Sequence, residues 1–166
     1  MDSRIRKTIK QREAERRAAL AYSGLWEKTP TSEVKTLIAN LAKHYDCNAS
    51  YYCLDDGQRV KVVSSTNVWE EYYDYDQTTA LKYREIVGRT IPIIISDARK
   101  NELECDSPYV ISGEVRFMAY IPFYSSQGYY FGSVGIDDPS PRYAFKLHDA
   151  DFLVDTALEL QSLLDV

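Results

Sequence analysis

Val115-Arg116-Phe117-Met118-Ala119-Tyr120-Ile121-Pro122-Phe123-Tyr124-Ser125-Ser126-Gln127-Gly128-Tyr129-Tyr130-Phe131-Gly132-Ser133-Val134-Gly135-Ile136-Asp137-Asp138-Pro139 decides how this chain folds. It reads as two strands joined by a short glycine-bearing turn and closed by an Asp-Pro stop. Side chains alternate across a strand, so Val115, Phe117, Ala119, Ile121 and Phe123 share one face and Arg116, Met118, Tyr120, Pro122 and Tyr124 the other. Both faces carry bulky groups, and both are expected to be covered. Gly132 and Gly135 permit close approach of a helix or a ligand, or mark tight packing of the strand on a helix. The hairpin holds no nucleophile, base or metal cluster, which points to a domain that binds and reports rather than one that transforms a substrate.

Upstream of this hairpin, the first ~20 residues are dense in Arg, Lys, Glu, Gln and Ala, good helix formers, and stop at Ser23-Gly24, where glycine can take the left-handed conformation that ends a helix. Ile5, Ile9, Ala14, Ala18 and Ala21 form only a thin apolar stripe, suited to lying against a partner helix. Thr29-Pro30 predicts a capped second helix with Val34, Leu37, Ile38, Leu41 and Tyr45 at core-facing spacings. Ala49 to Leu54 and Arg59 to Ser64 flank Asp55-Asp56-Gly57-Gln58 as a second β-hairpin. Trp69 to Asp76 shows no clean period and reads as a loop or short helix. Thr78 to Val87 reads as a helix ended by Gly88, and Ile91 to Ile95 as a buried strand with proline near its start.

Downstream of that strand, Ser96 or Asp97 caps a short helix that runs out before Pro108. The last helix spans Asp149 to Leu164 with a broad apolar sector of Phe152, Leu153, Ala157, Leu160, Leu163 and Leu164, and Val154 and Leu158 to one side. Apolar surplus on both terminal helices predicts either a homodimer through those helices or packing of one on the other within one chain. The apolar ending Leu163-Leu164-Asp165-Val166 suggests that a further segment follows.

At 166 residues with 45% hydrophobic content the chain suits a single compact domain, divided as an N-terminal basic helix over 1–24 and the domain proper over 25–166. No apolar run approaches the ~20 residues a membrane helix needs, and the N-terminus is charged, so a cytoplasmic protein with no membrane insertion is expected. Cys47, Cys53 and Cys105 are too few for a disulfide framework and are expected to be reduced. In the first helix Arg4, Arg6, Lys7, Lys10, Arg12, Arg16 and Arg17 outweigh Asp2, Glu13 and Glu15 by four, leaving −9 for the rest of a chain of net charge −5. That run reads as a solvated helix face. The acidic remainder opposes a polyanion, so no nucleic acid is expected. His44 and His148 stand apart at helix ends, and no metal site is expected.

Four segments together resemble a GAF domain, the small sensory module of signalling enzymes. Glu13 to Leu20 with Gly24-Leu25 and Thr29-Pro30 is similar to that family's entry helix and turn. Pro92-Ile93-Ile94-Ile95-Ser96-Asp97-Ala98-Arg99 is similar to its "PLVVPDAR" segment. Arg116 to Pro122 is similar to its "RFYAGVPL" strand, and Gly132 to Pro139 to its "GTLCVIDP" strand. The resemblance covers nearly all of the chain. It implies an α+β fold: a central antiparallel sheet of five or six strands, the N- and C-terminal helices on one face, and short helices and loops on the other, roofing a pocket.

By that resemblance the roof is 69–88 with 97–112, and the ligand candidates are Trp69, Thr78, Thr79 and Tyr83, Asp97, and Arg116, Met118 and Tyr120 from the sheet. Thr78-Thr79-Ala80 departs from the family, whose members often have a serine, an aromatic and a cysteine there. The expected function is a non-catalytic sensory domain that binds an unidentified small molecule, dimerises, or both, with no cofactor. Arg116 suits an anionic ligand, or else pairs with Asp97 or another acid. The alternatives that the resemblance leaves are a free methionine sulfoxide reductase using Cys53 and Cys105, and a bilin-binding photoreceptor attached through Cys105.

Overall fold

In the computed structural model, which describes residues 8–67, 72–74 and 85–166, the two hairpins merge into one sheet. The strands are β1 (Ala49–Asp55), β2 (Arg59–Ser65), β3 (Tyr72–Asp74), β4 (Ile93–Ile95), β5 (Phe117–Tyr124) and β6 (Tyr130–Asp138). They lie in the order β3-β2-β1-β6-β5-β4, and every pairing is antiparallel. The helices are α1 (Ile9–Ser23), α2 (Ser32–Tyr45), α3 (Pro108–Ile111) and α4 (Asp151–Leu164).

Alternation within β5 divides the molecule into layers. Phe117, Ala119, Ile121 and Phe123 are buried with Tyr52 and Leu54 of β1, Val134 and Ile136 of β6, Ile38 and Leu41 of α2, and Leu153 and Leu160 of α4. This is the main core, between the sheet and the helices. On the other face Ile95, Ala98, Val110 and Val115 form a second, smaller cluster to which Met118 and Tyr120 are packed. Both faces of β5 are covered, as its composition requires.

Several boundaries differ from the sequence reading. The cap of α2 is Thr31, whose hydroxyl accepts from the Val34 amide at 3.2 Å, so Thr29-Pro30 lies just outside the helix. Three residues of the stretch over 69–76, Tyr72–Asp74, are a strand paired with β2; so short an edge strand shows no alternation to read. Asp97 caps a single 3-10 turn over Ala98–Lys100, and a separate helix begins at Pro108. Of the helix expected over 78–87, residues 78–84 lie outside the described residues; Glu85 and Ile86 are helical and Gly88 turns the chain at φ 81°.

The largest departure is in α1. Its docked face is not the isoleucine–alanine stripe: Ile9 is 88% exposed, and the buried residues are Leu20 and Arg16. Arg16 reaches across the end of the sheet, where Nη1 donates to the carbonyls of Asp55 (2.5 Å) and Tyr130 (3.3 Å) and Nε to Glu13 Oε2 (2.9 Å). A buried guanidinium is tolerable because each of these contacts replaces water that it gave up. Gly57, at φ 83° in the β1–β2 turn, has no side chain where Glu13, Arg16 and Arg17 crowd in. One residue of the basic run is thus an internal anchor.

Candidate functional site

The strand register fixes which side chains meet on the face away from the helices. Ile93 and Ile95 of β4 stand opposite Tyr120 and Met118 of β5, and these two stand opposite Gly135 and Asp137 of β6. On β1, Tyr51 is opposite Gly135 and Cys53 opposite Ser133. A Cβ at Gly135 would meet the Tyr51 hydroxyl, stand 2.5 Å from Tyr51 Cζ and 3.0 Å from Tyr120 Cβ. The space vacated at Gly135 therefore admits the ring of Tyr51, neither a helix nor a ligand. Over it the 98–115 segment lays Ala98, Tyr109, Val110 and Val115 on the sheet.

Two carboxylates are buried between these layers. Asp137 is 6% and Glu104 3% exposed. The Tyr51 hydroxyl is pushed well above the ordinary phenol range, by burial first and then by the negative charge of Asp137. The Tyr120 hydroxyl is pushed up by burial and then by Glu104. Both phenols stay neutral at any physiological pH, and an anion entering here would meet carboxylates.

At one end of this face Arg116 closes on Asp97 as a two-pronged pair, Nε to Oδ1 at 2.9 Å and Nη2 to Oδ2 at 2.7 Å. The Tyr143 hydroxyl donates to Asp97 Oδ2 at 2.9 Å and the Arg99 amide to Oδ1 at 3.2 Å. Of the two roles open to Arg116, the structure places it in the pairing with Asp97, so its fork is not presented to an anion. The cluster ties the end of β4, the start of β5 and the β6–α4 connection together. The Arg116 hydrogen bonds, then Tyr143 and Arg99, hold the Asp97 carboxyl well below its ordinary 3.8. A depressed carboxyl stabilises the fold above its unfolded pKa and loses that effect as acid protonates it. The urea midpoint of the wild-type chain is expected to fall on going from pH 5 to pH 3 more steeply than that of Asp97→Asn, which is already weakened at pH 5. Parallel pH curves would show that the pair contributes nothing.

All three cysteines are free. Cys53 is buried with Sγ 3.1 Å from Ser133 Oγ, and burial pushes its thiol up to about 11. Burial likewise pushes Cys47 up to about 11, and its thiol donates to the Ala49 carbonyl. Cys105, in the roof, donates to the Glu102 carbonyl at 3.8 Å. Among the described residues no three His, Cys, Asp or Glu side chains are arranged to hold a metal, and no helix is long and apolar enough to cross a membrane.

Of the residues expected at the site, Met118 and Tyr120 come together, Asp97 and Arg116 pair at its end, and Trp69, Thr78, Thr79 and Tyr83 lie outside the described residues. Sequence reasoning missed Tyr51, Glu104 and Asp137. For Asp137 a signal existed: in β6 it falls in step with Ser133 and Gly135, on the face opposite Val134 and Ile136.

No protein-family model matches the sequence, and no curated protein matches it. Solved structures do. The free methionine-R-sulfoxide reductase of Neisseria meningitidis, in complex with its substrate, aligns over 94% of this chain and 87% of its own, with TM-score 0.62 and 13% identity. The GAF domain of an Acinetobacter phosphoenolpyruvate-protein phosphotransferase aligns over 92% of both chains, with TM-score 0.60 and 12% identity. The blue-light-absorbing form of the PixJ GAF domain of Thermosynechococcus elongatus aligns over 94% of this chain and 91% of its own, with TM-score 0.59 and 18% identity. At such identities the likeness is one of architecture, and the chain has the GAF fold.

Proposed function

We infer that this chain is a non-catalytic regulatory domain that takes a small molecule on the roof face of its sheet. The observation that carries this reading is the condition of the thiols. Thiol redox chemistry needs a thiolate, and the burial that pushes the Cys53 thiol up to about 11 disfavours one at neutral pH. Cys53 faces a serine hydroxyl and nearby carboxylates instead of a cation. Bilin attachment through Cys105 gains no support either, since His44 and His148 lie on α2 and just before α4.

The buried carboxylates and tyrosines of this face support a neutral or cationic ring compound over the anion that Arg116 suggested. A ligand that binds the folded state alone raises stability by roughly 2.7 kcal/mol at a hundredfold excess over its Kd. A thermal-shift panel is expected to show raised melting with aromatic amines and none with carboxylates or phosphates. In parallel, the chain is expected not to consume a thiol reductant when free methionine sulfoxide is added. Sulfoxide-dependent oxidation that disappears in Cys53→Ser or Cys105→Ser would replace this reading with the reductase. A panel with no shift for any class would remove the ligand.

A further inference from the structure

At the end of the sheet where β5 begins and β6 stops, two adjacent residues of the β6–α4 connection reach the two layers on either side of it. Arg142 serves the helices. Its Nη1 donates to the Tyr45 carbonyl at 2.7 Å and its Nη2 to the Asp46 carbonyl at 2.8 Å. These carbonyls lie at the C-terminal end of α2, where they lack partners within the helix and a cation is favoured. Asp46, the cap, holds a left-handed backbone at φ 47° that a residue with a side chain seldom adopts. Tyr45 carries the tie onward, its hydroxyl donating to the Asp149 carbonyl at 2.7 Å and accepting from the Leu153 amide at 3.1 Å. The residue before α4 is Ala150, which has no side-chain acceptor, so a phenol from α2 caps α4 in its place.

Tyr143 serves the roof. Its hydroxyl donates to Asp97 Oδ2 at 2.9 Å and accepts from Lys100 Nζ at 3.2 Å, and so holds both ends of the 3-10 turn from which the 98–115 segment starts. The Arg142 amide donates to the Ser96 carbonyl at 3.0 Å, and its guanidinium lies over the Phe117 ring, 5.3 Å from the centroid. A single planar peptide unit separates the two side chains, so a shift of one is passed to the other. Tyr143 is 55% exposed, and its contacts can open into water without leaving a cavity.

We propose that Arg142 and Tyr143 form a clasp that couples the two layers, so that release of the first roof turn and loosening of the α2–α4 junction are one opening and not two. Side chains that only satisfied their own neighbours would let each side open alone. A coupling free energy belongs to both sides and runs in both directions. The clasp does not rest on the roof-face ligand, and either reading can fail alone.

Residue-resolved amide exchange on the full chain tests it. The reporters in the roof turn are Lys100 and Asn101, whose amides donate to the carbonyls of Asp97 and Ala98. Those at the helix junction are Cys47 and Leu153, whose amides donate to the Ala42 carbonyl and the Tyr45 hydroxyl. Tyr143→Phe deletes one hydroxyl and keeps the ring. Exchange at Lys100 and Asn101 is expected to rise roughly fivefold, the effect of one net hydrogen bond, with a similar rise at Cys47 and Leu153 and none at Ile121 in β5. Arg142→Lys keeps the charge but loses the two-pronged grip, and is expected to raise the same four amides. In the double variant the rise is expected to stay near that of either single variant, because one clasp opens once. Should Arg142→Lys not fold, the Tyr143→Phe pattern decides alone. A rise confined to the roof turn in Tyr143→Phe, an equal rise at Ile121 that marks whole-chain unfolding, or additive effects in the double variant would overturn the proposal.

Discussion

Arg16→Ala is expected to weaken the fold by up to about 3–5 kcal/mol, the range for removing one partner of a buried charged network. At roughly 2–4 °C per kcal/mol for a domain of this size, that is on the order of 10 °C in melting temperature. The guanidinium donates to the Asp55 and Tyr130 carbonyls and pairs with the part-exposed Glu13, so alanine removes these contacts together. Undocking α1 caps the loss, because once the helix has left the sheet nothing more is forfeited there. Amide exchange in α1 should therefore rise more than exchange in β5 or α4.

The same substitution carries a pH signature. Burial raises the Asp55 carboxyl from 3.8 to about 6, outweighing the attraction of Arg16. A carboxyl raised on folding binds its proton more tightly in the native state, so its contribution is whole below about pH 4 and is lost as pH climbs through 6. Without Arg16 that carboxyl rises further and the loss extends to higher pH. The gap between wild type and Arg16→Ala is expected to be wider at pH 8 than at pH 5. A gap that stays constant from pH 5 to pH 8 would show that Asp55 and Arg16 are not coupled.

Gly132→Ala is expected to cost about 3 kcal/mol, at or beyond the top of the usual range for overpacking. A Cβ at Gly132 runs into the Cys53 carbonyl, 2.8 Å from its carbon and 3.0 Å from Leu54 Cα. These are backbone atoms of the β1–β6 ladder and cannot swing aside as a side chain can. The sheet must open between its two central strands, or the register must slip and carry inward residues to the wrong face. Gly24→Ala is the useful comparison: it sits at φ 70° with nothing near its would-be Cβ, and left-handed backbone alone costs an alanine about 1–2 kcal/mol. Equal melting temperatures for the two variants would show that the ladder yields.

The sheet and its order of burial could be read from residues because β5 alternates large groups over its whole length and β6 repeats the pattern opposite it. The turn at Asp55 to Gln58 and the stop at Gly24 were legible for a similar reason, since each depends on local chemistry. Tyr72–Asp74 was not legible as a strand: three residues carry no period, and only β2 beside them makes the assignment. Arg16 stands among six other basic residues with nothing local to separate it, and its burial depends on carbonyls 39 and 114 positions away. The site was half legible. That Met118 and Tyr120 share a face follows from strand alternation, but the pairing of Arg116 depends on Asp97 on a neighbouring element, and Tyr51 joins them only because Gly135 lies across from it.

The sheet ends on both sides in strands of three residues, β3 and β4, and Pro92 precedes the second. Amyloid-like stacking and runaway strand addition need a long, straight border whose amides and carbonyls can recruit another backbone. Stubs of this length offer very few such groups, and proline offers no donor at all. Among the described residues these two stubs therefore offer a second backbone few groups to pair with.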